Sequence, residues 1–464
     1  MKIEMPRQEA DERRKNFDEV NFGYTDEQAV LEATRCIQCA DPKCVAGCPV
    51  NIDIPKFIKH IKEGKVDRAI KTIKKTNNLP GVCGRVCPQE DQCEKECILI
   101  AQDKPVAIGH LERYAADNEK EVVVPKIAKN GKKVAVVGAG PAGLTCAADL
   151  AMKGYRVVVY EALHGPGGVL TYGIPDFRLP KDVVRKEIKF IEELGVEIRK
   201  NVVVGKLYDM DELCGKYDAV FVGSGAGLPY FMKIQGEGLR NVYTANEFLT
   251  RINLMKAHKF PEYKTPIFVG KKVVVVGAGN VAMDAARTAR RLGSEVTVVY
   301  RRGFDEMPAR LEEIYHAKEE GIEFLLLTIP SQILGEDKVD GVECVQMRLA
   351  EDDESGRRRP VAMEGSEFKV DCDMVIVAIG QGPNPLLSKS SKLRHNLKGN
   401  FIVDENLMTS IEGVFAGGDI VASGESATVI KAMGDAKRAA SVIDEYVKNK
   451  GKEVACEEED NSDE

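Results

Sequence analysis

Apolar positions along the chain change period twice. Between residues 54 and 73 they recur at helical spacing, with Ile54, Phe57, Ile58 and Ile61 followed by Ile70 and Ile73. Each group lines one face of a short amphipathic helix. From Lys132 the pattern becomes apolar strand, glycine turn, small-residue helix and apolar strand, in "KKVAVVGAGPAGLTCAADLAMKGYRVVVYEA". Residues 271–302, "KKVVVVGAGNVAMDAARTARRLGSEVTVVYRR", repeat it. Two such units predict two nucleotide-binding domains of parallel α/β type. "YDAVFVGSGA" (217–226) and "CDMVIVAIGQGPNP" (372–385) read as buried strands ending in small residues. Residues 351–365, "EDDESGRRRPVAMEG", read as a hairpin loop, and 115–131 as a linker. The first 30 residues are polar and are expected to be helical or to run extended over another surface.

Composition narrows the class. The chain has 464 residues, enough for two to four domains, and is 44% hydrophobic and 30% charged. A net charge of −7 argues against nucleic acid as a partner. No apolar run approaches the roughly 20 residues that a membrane helix needs. The charged start "MKIEMPRQEADERRKNF" has no secretory core, so a cytoplasmic, reducing setting is expected. The end of the chain, "EEEDNSDE", reads as a solvated acidic tail.

The glycine turns carry candidate chemistry. Gly138, Gly140 and Gly143 follow a strand and open a helix, and Glu161 closes the next strand. Glycines there permit a tight turn and close approach of backbone to a pyrophosphate, whose charge the helix N-terminus stabilises. The acidic residue suits ribose hydroxyls. The second turn reads Gly277, Ala278, Gly279, Asn280, Val281 and Ala282, and its second strand ends in Arg301 and Arg302 instead of an acid. Guanidinium groups bind a 2′-phosphate that a carboxylate would repel, so NADP(H) is expected over NAD(H). "GVFAGGDIV" (413–421), with Gly418 and Asp419, suits the remaining wall of an FAD site.

Eight of the thirteen cysteines lie between Cys36 and Cys97, as Cys36, Cys39, Cys44, Cys48 and then Cys83, Cys87, Cys93, Cys97. In a large chain of a reducing compartment that density favours metal over disulfides. Zinc sites prefer paired C-x2-C knuckles. Close runs capped by Cys-Pro fit iron–sulfur clusters, and a neighbouring flavin needs one-electron partners. Two 4Fe–4S clusters are therefore expected, with zinc the rival. Cys146, Cys214, Cys344, Cys372 and Cys456 are scattered and form no C-x-x-C pair.

The two glycine units with "GVFAGGDIV" resemble the flavoproteins that carry two dinucleotide-binding domains. That resemblance implies FAD in the first unit, at Gly138, Gly140, Pro141, Ala142, Gly143, Glu161, Gly418 and Asp419. It also implies that residues 164–180, including Gly168 and Leu170, pass beside the flavin ring. NADP(H) belongs in an inserted unit, at Gly277, Gly279, Asn280, Val281, Ala282, Arg301 and Arg302. The implied domains are 1–130 (helical, iron–sulfur, with linker), 131–265 and 373–450 (FAD), 266–372 (NADP) and 451–464 (acidic tail).

With "LPGVCGRVCPQ", "IGHLERY", "YGIPDFRLP" and "GAGNVAMD" added, residues 20–450 resemble the NADPH glutamate synthase small-subunit family of iron–sulfur flavoproteins. Its relatives include the large subunit of NADH-dependent ferredoxin:NADP oxidoreductase, sulfide dehydrogenase and part of dihydropyrimidine dehydrogenase. The resemblance implies crossed ligation: Cys36, Cys39, Cys44 and Cys97 on one cluster, and Cys48, Cys87, Cys93 and Glu112 on the other. By spacing alone Cys83 competes with Glu112 for the last position. The implied activity is hydride exchange between NADP(H) and FAD, with single electrons passing through the clusters to or from a partner. The bifurcating ferredoxin:NADP oxidoreductase is the expected setting, with a smaller flavin/iron–sulfur subunit as partner and ferredoxin reached through it. The alternatives are a glutamate synthase large subunit or a sulfide dehydrogenase. No side-chain acid, base or nucleophile is required.

Overall fold

The computed structural model describes residues 2–102, 104–120, 123–353, 356–421 and 427–460. The amphipathic periods become the helices Ile54–Lys62 and Val66–Ile73. Ile54, Phe57, Ile58, Ile61, Ile70 and Ile73 are all buried. They pack with Asp26–Thr34, Pro80–Val86 and Ile108–Asp117 into the helical N-terminal domain. Thr25 starts the first of these with a reciprocal capping box to Gln28.

Two five-stranded parallel sheets follow. The first has the order Val414–Ala416, Ala219–Val222, Lys133–Val137, Arg156–Tyr160, Glu197–Arg199. The second runs Val242–Thr244, Met374–Val377, Lys272–Val276, Glu295–Val299, Glu323–Leu325. In each, the order reverses at the strand that leads into a glycine turn, which is where open α/β sheets bind ligands.

The second sheet corrects the domain boundaries. The strand Met374–Val377 pairs with Lys272–Val276, Val375 opposite Val274, and so belongs to the second unit. Val242–Thr244 lines its other edge. The two connections between the units lie side by side, Leu228–Pro229 against Gln381–Gly382 in antiparallel pairing. The inserted unit thus fills the chain between Pro229 and Gln381, beyond the expected 266–372 on both sides. An antiparallel sheet of Thr328–Leu334, Gly341–Asp352, Arg358–Ala362 and Phe368–Val370 is attached to it. The expected hairpin at 351–365 is the turn of that sheet, with residues 354 and 355 outside the described residues.

The helical domain and the first sheet share one apolar core, from Ala29 through Phe57, Val136 and Phe221 to Val447. The first residues pack on that core through Ile3 and Met5, and the chain then reaches the second unit, where buried Arg13 pairs with Glu319 and Glu320 at 2.7 and 2.9 Å. The last helix, Val429–Asp460, extends past residue 450 into the expected tail, whose Lys, Glu and Ala residues favour helix. Residues 461–464 lie outside the described residues. Among the described residues no helix is long and apolar enough to cross a membrane.

Candidate functional site

The first glycine turn is shaped by backbone proximity. Gly138 has φ +100°, and a Cβ there would stand 2.7 Å from the Gly223 carbonyl oxygen. A Cβ on Gly143 would fall 1.8 Å from the Gly138 oxygen, so only glycine lets the helix Pro141–Met152 sit this close to its strand. Pro141 begins that helix without an N–H to satisfy, and Ala142 is buried beneath it. Residues 164–180 cross the turn: Gly168 has φ +54°, and a Cβ on it would meet Gly140 Cα at 2.8 Å. Leu170 beside it is fully buried. Glu161 accepts from Ala139 N and Leu163 N, both at 2.8 Å. Gly418, at φ +76°, packs on Ala142 and Ala432, and Asp419 next to it is exposed at the rim. Side chains at these glycines would fill the cradle that a dinucleotide pyrophosphate requires, so the residues present fit one.

The second turn repeats the geometry. Gly277 has φ +124°, and a Cβ on it would strike the Ala378 oxygen at 2.3 Å. Gly279 caps the helix Asn280–Arg291, whose Ala282 is buried and Val281 exposed. Asn280 Oδ1 accepts from Arg310 N at 3.1 Å. The two arginines expected to act together are parted here. Arg301 is exposed, whereas Arg302 is buried, donates from Nε to the Arg358 carbonyl at 2.8 Å and pairs with Asp353. Of the two, Arg301 is the one exposed to solvent.

The eight cysteines fall into two sets. Cys36, Cys39, Cys44 and Cys97 are all half-buried. Burial pushes the Cys44 thiol up to about 11, with Cys36, Cys97 and Cys39 adding to the rise. Cys48, Cys83, Cys87 and Cys93 form a deeper, buried set together with Glu112. Burial raises the Cys48 thiol to about 11, and Glu112 and Cys83 add to that. Burial also lifts the Glu112 carboxyl to about 8, against the pull of Asn77, whose Nδ2 donates to its Oε1 at 2.7 Å. Among the described residues no three His, Cys, Asp or Glu side chains converge closely enough for a single metal ion. A four-iron cube holds its thiolates farther apart than one tetrahedral ion does, and thiolate is the donor that such a cube takes.

The deeper set and the first glycine turn meet on one helix. Cys83 Sγ lies 3.6 Å from the Met433 sulfur. A Cβ on Gly434 would come within 2.8 Å of the Pro49 oxygen, next to Cys48. Two residues before Gly434, Ala432 packs on Gly418, 3.2 Å from where a Gly418 Cβ would be. One turn of the helix Val429–Asp460 therefore separates the deeper thiol set from the first glycine turn. Sequence reasoning missed Asn77, Met433 and Gly434. Only Gly434 left a signal, as a glycine inside a helix where another backbone comes close.

The 164–180 segment is also tied to the second unit. Arg178 Nη1 donates to both Asp284 oxygens at 2.7 Å, and Arg287 and Arg291 lie over the Phe177 ring at 4.8 and 3.8 Å. These bonds fix the second glycine helix against the loop that crosses the first.

Comparison with known proteins accords with this layout. Residues 13–124 match the family described as "Dihydroprymidine dehydrogenase domain II, 4Fe-4S cluster". Residues 132–436 match "Pyridine nucleotide-disulphide oxidoreductase". The chain is 39% identical to the NADPH glutamate synthase small chain of Azospirillum brasilense, over 95% of this chain and 94% of that one. It is 37% identical to the corresponding Escherichia coli chain, over 95% and 96%. It is 40% identical to the NADP(+)-dependent formate dehydrogenase subunit beta of Moorella thermoacetica, over 87% of this chain and 60% of that longer one. Among solved structures, Mycobacterium tuberculosis FprA in complex with NADPH shares the fold, with TM-score 0.58, 22% identity, and 70% and 86% of the two chains covered.

Proposed function

The chain belongs to the NADPH glutamate synthase small-chain family of iron–sulfur flavoproteins, and on that premise we propose that it passes electrons between NADP(H) and a separate catalytic subunit. It is an NADP(H)-dependent flavin and iron–sulfur oxidoreductase, with FAD, 4Fe–4S and NADP(H) as its cofactors. When bound, the nicotinamide and flavin exchange hydride and the clusters carry single electrons.

The chain's own residues bind, orient and space these groups. Gly138, Gly140 and Gly143 open backbone N–H groups and a helix N-terminus to the FAD pyrophosphate, Glu161 takes the ribose, and Gly168 and Leu170 set the loop over the ring. Gly277, Gly279 and Asn280 do the same for NADP(H), and Arg301 meets its 2′-phosphate. Arg302 supports the strand end on which Arg301 stands. Cys36, Cys39, Cys44 and Cys97 hold the outer of two clusters, and Cys48, Cys87, Cys93 and Glu112 the inner one. Glu112 takes this place over Cys83 on the family resemblance; Asn77 orients both, with Nδ2 on Glu112 Oε1 at 2.7 Å and Oδ1 facing Cys83 Sγ at 3.7 Å.

The observation that carries this reading is the single helical turn between inner thiols and flavin cradle, Cys83 to Met433 on one side and Ala432 to Gly418 on the other. For the partner, the match over nearly the whole length of both chains supports a glutamate synthase large subunit. Anaerobic purification of the complex from its native host tests this. A large glutamate-forming chain in the complex supports the assignment. A smaller iron–sulfur flavoprotein replaces it with the bifurcating ferredoxin:NADP oxidoreductase expected from the sequence.

A further inference from the structure

Arg310 connects two sites that the functional reading treats separately. It is buried, and it lies just after Pro308, whose Cγ is 3.9 Å from where a Cβ on Gly279 would stand. Its backbone N is held by Asn280 Oδ1 at 3.1 Å, at the start of the second glycine helix. Its guanidinium reaches the helical domain, where Nη1 donates to the Arg85 carbonyl at 2.8 Å and Nη2 to Gln89 Oε1 at 3.1 Å. Arg85 and Gln89 flank Cys87. The Arg85 carbonyl belongs to the last turn of the helix Pro80–Val86, so Arg310 satisfies an acceptor that the helix leaves open. The other end of the Gln89 amide, Nε2, donates to the Cys83 carbonyl at 3.4 Å. The Gln89 carbonyl accepts from Glu94 N at 3.0 Å, closing the turn that carries Cys93. A neighbouring strut runs the same way, from Leu311 N to Glu90 Oε1 at 3.3 Å.

We propose that Arg310 is a positioning residue that couples the second glycine turn to the Cys87–Cys93 segment, so that bound NADP(H) shifts the reduction potential of the cluster held there. The inference rests on the nucleotide and cluster sites of the proposed function. A nucleotide pyrophosphate at the helix N-terminus accepts from Asn280 Nδ2 and so reorients the amide whose Oδ1 now holds the Arg310 backbone. Release of that bond frees residues 307–310 to move. The planar fork transmits the movement to the Arg85 carbonyl and Gln89 together, while its third acceptor, Glu312 Oε2 at 3.1 Å, follows two residues on in the same segment. Arg310 has room to respond: it lines a cavity of about 20 Å³, enough for one water, and its Nε makes no hydrogen bond, only a longer ion pair with Glu90 at 3.7 Å. Hydrogen bonds and backbone placement around a cluster are among the means by which a protein sets its potential. Linkage makes the effect reciprocal, so the oxidation state of that cluster alters NADP+ affinity by the same factor.

The test is an anaerobic redox titration of the full, cofactor-loaded chain, read by electron paramagnetic resonance, with and without saturating NADP+. Perturbation of the flavin absorbance by NADP+ shows in each sample that the nucleotide is bound. In the wild type, NADP+ shifts the midpoint of the cluster signal that Glu112→Ala alters and leaves the other signal in place. A tenfold affinity difference between redox states reads as about 59 mV for one electron. In Arg310→Gln the shift is lost. Arg310→Lys keeps the buried charge and the fold but cannot bond the Arg85 carbonyl and Gln89 at once, and it loses the shift too. Hydrogen exchange gives a second reading: NADP+ changes the exchange of amides in residues 85–94 of the wild type and not of the variants. An equal shift in wild type and both variants, or no shift in a wild type that binds NADP+, overturns the coupling. A wild type without any cluster signal contradicts the functional reading itself, and that absence tells the two failures apart.

Discussion

Asn77 Nδ2 donates to Glu112 Oε1 at 2.7 Å, and Asn77 Oδ1, which also accepts from Leu79 N at 2.9 Å, faces Cys83 Sγ at 3.7 Å. One buried amide therefore orients both rivals for the fourth position of the inner cluster. If Glu112 is the ligand, Glu112→Ala changes the redox behaviour of one cluster and leaves the other intact. Cys83→Ala then keeps about eight irons per chain, the content of two four-iron clusters. Iron analysis of the two variants decides between them, and loss of a cluster in Cys83→Ala would mean that the thiol is the ligand.

Gly143→Ala places a methyl 1.8 Å from the Gly138 carbonyl oxygen, where neither backbone can yield without opening the turn. The variant is expected to lose roughly 3 kcal/mol of stability and to purify without FAD. Gly227→Ala is the control, because a Cβ there meets nothing within 4 Å. Flavin content per chain, with a denaturant titration, reads both.

The parted arginines give a prediction on selectivity. Arg301→Ala removes one charge-assisted contact to the 2′-phosphate, worth about 1.5–3 kcal/mol, and so raises the KM for NADPH roughly 10- to 100-fold with little change for NADH. Arg302→Ala breaks the bonds to Asp353 and the Arg358 carbonyl and is expected to lower the melting temperature instead. Steady-state kinetics with both nucleotides and thermal unfolding separate the two roles.

Both glycine turns, the amphipathic helices and the cysteine runs were legible because each is a local pattern with a local cause. The strand Met374–Val377 was legible as a strand, but its place in the second sheet was not. Its four consecutive buried residues look the same whichever sheet receives them, and its pairing with Val273–Val276 is a contact about a hundred residues away. Arg302 misled for a similar reason, since its partners Asp353 and Arg358 lie in the attached antiparallel sheet and its hairpin. The strap from Arg13 to Glu319 and Glu320 spans some three hundred residues, and no periodicity encodes it.

Glu187 supplies a pH dependence. Its Oε1 accepts from Gly81 N at 2.5 Å, its Oε2 has no partner, and burial lifts the carboxyl to about 8. The folded chain therefore holds this proton at pH values where the unfolded chain has released it. That contribution to stability is fully present below the unfolded value near 4.5 and is lost as pH rises towards 8. Denaturant midpoints between pH 5 and 8 should fall with rising pH by a few kcal/mol in ΔG, and Glu187→Gln should flatten the slope. An unchanged slope in Glu187→Gln places the effect elsewhere.

The central claim is that electrons from NADPH reach the cysteine sets through the flavin cradle, across the turn that carries Ala432 and Met433. Its most direct test is to add NADPH anaerobically to the purified, cofactor-loaded chain, following the flavin by absorbance and the clusters by electron paramagnetic resonance, with a viologen dye as final acceptor. The account predicts bleaching of the flavin, a cluster signal that grows with it, and dye reduction sustained by NADPH. A plain flavin spectrum that bleaches without any cluster signal would contradict it.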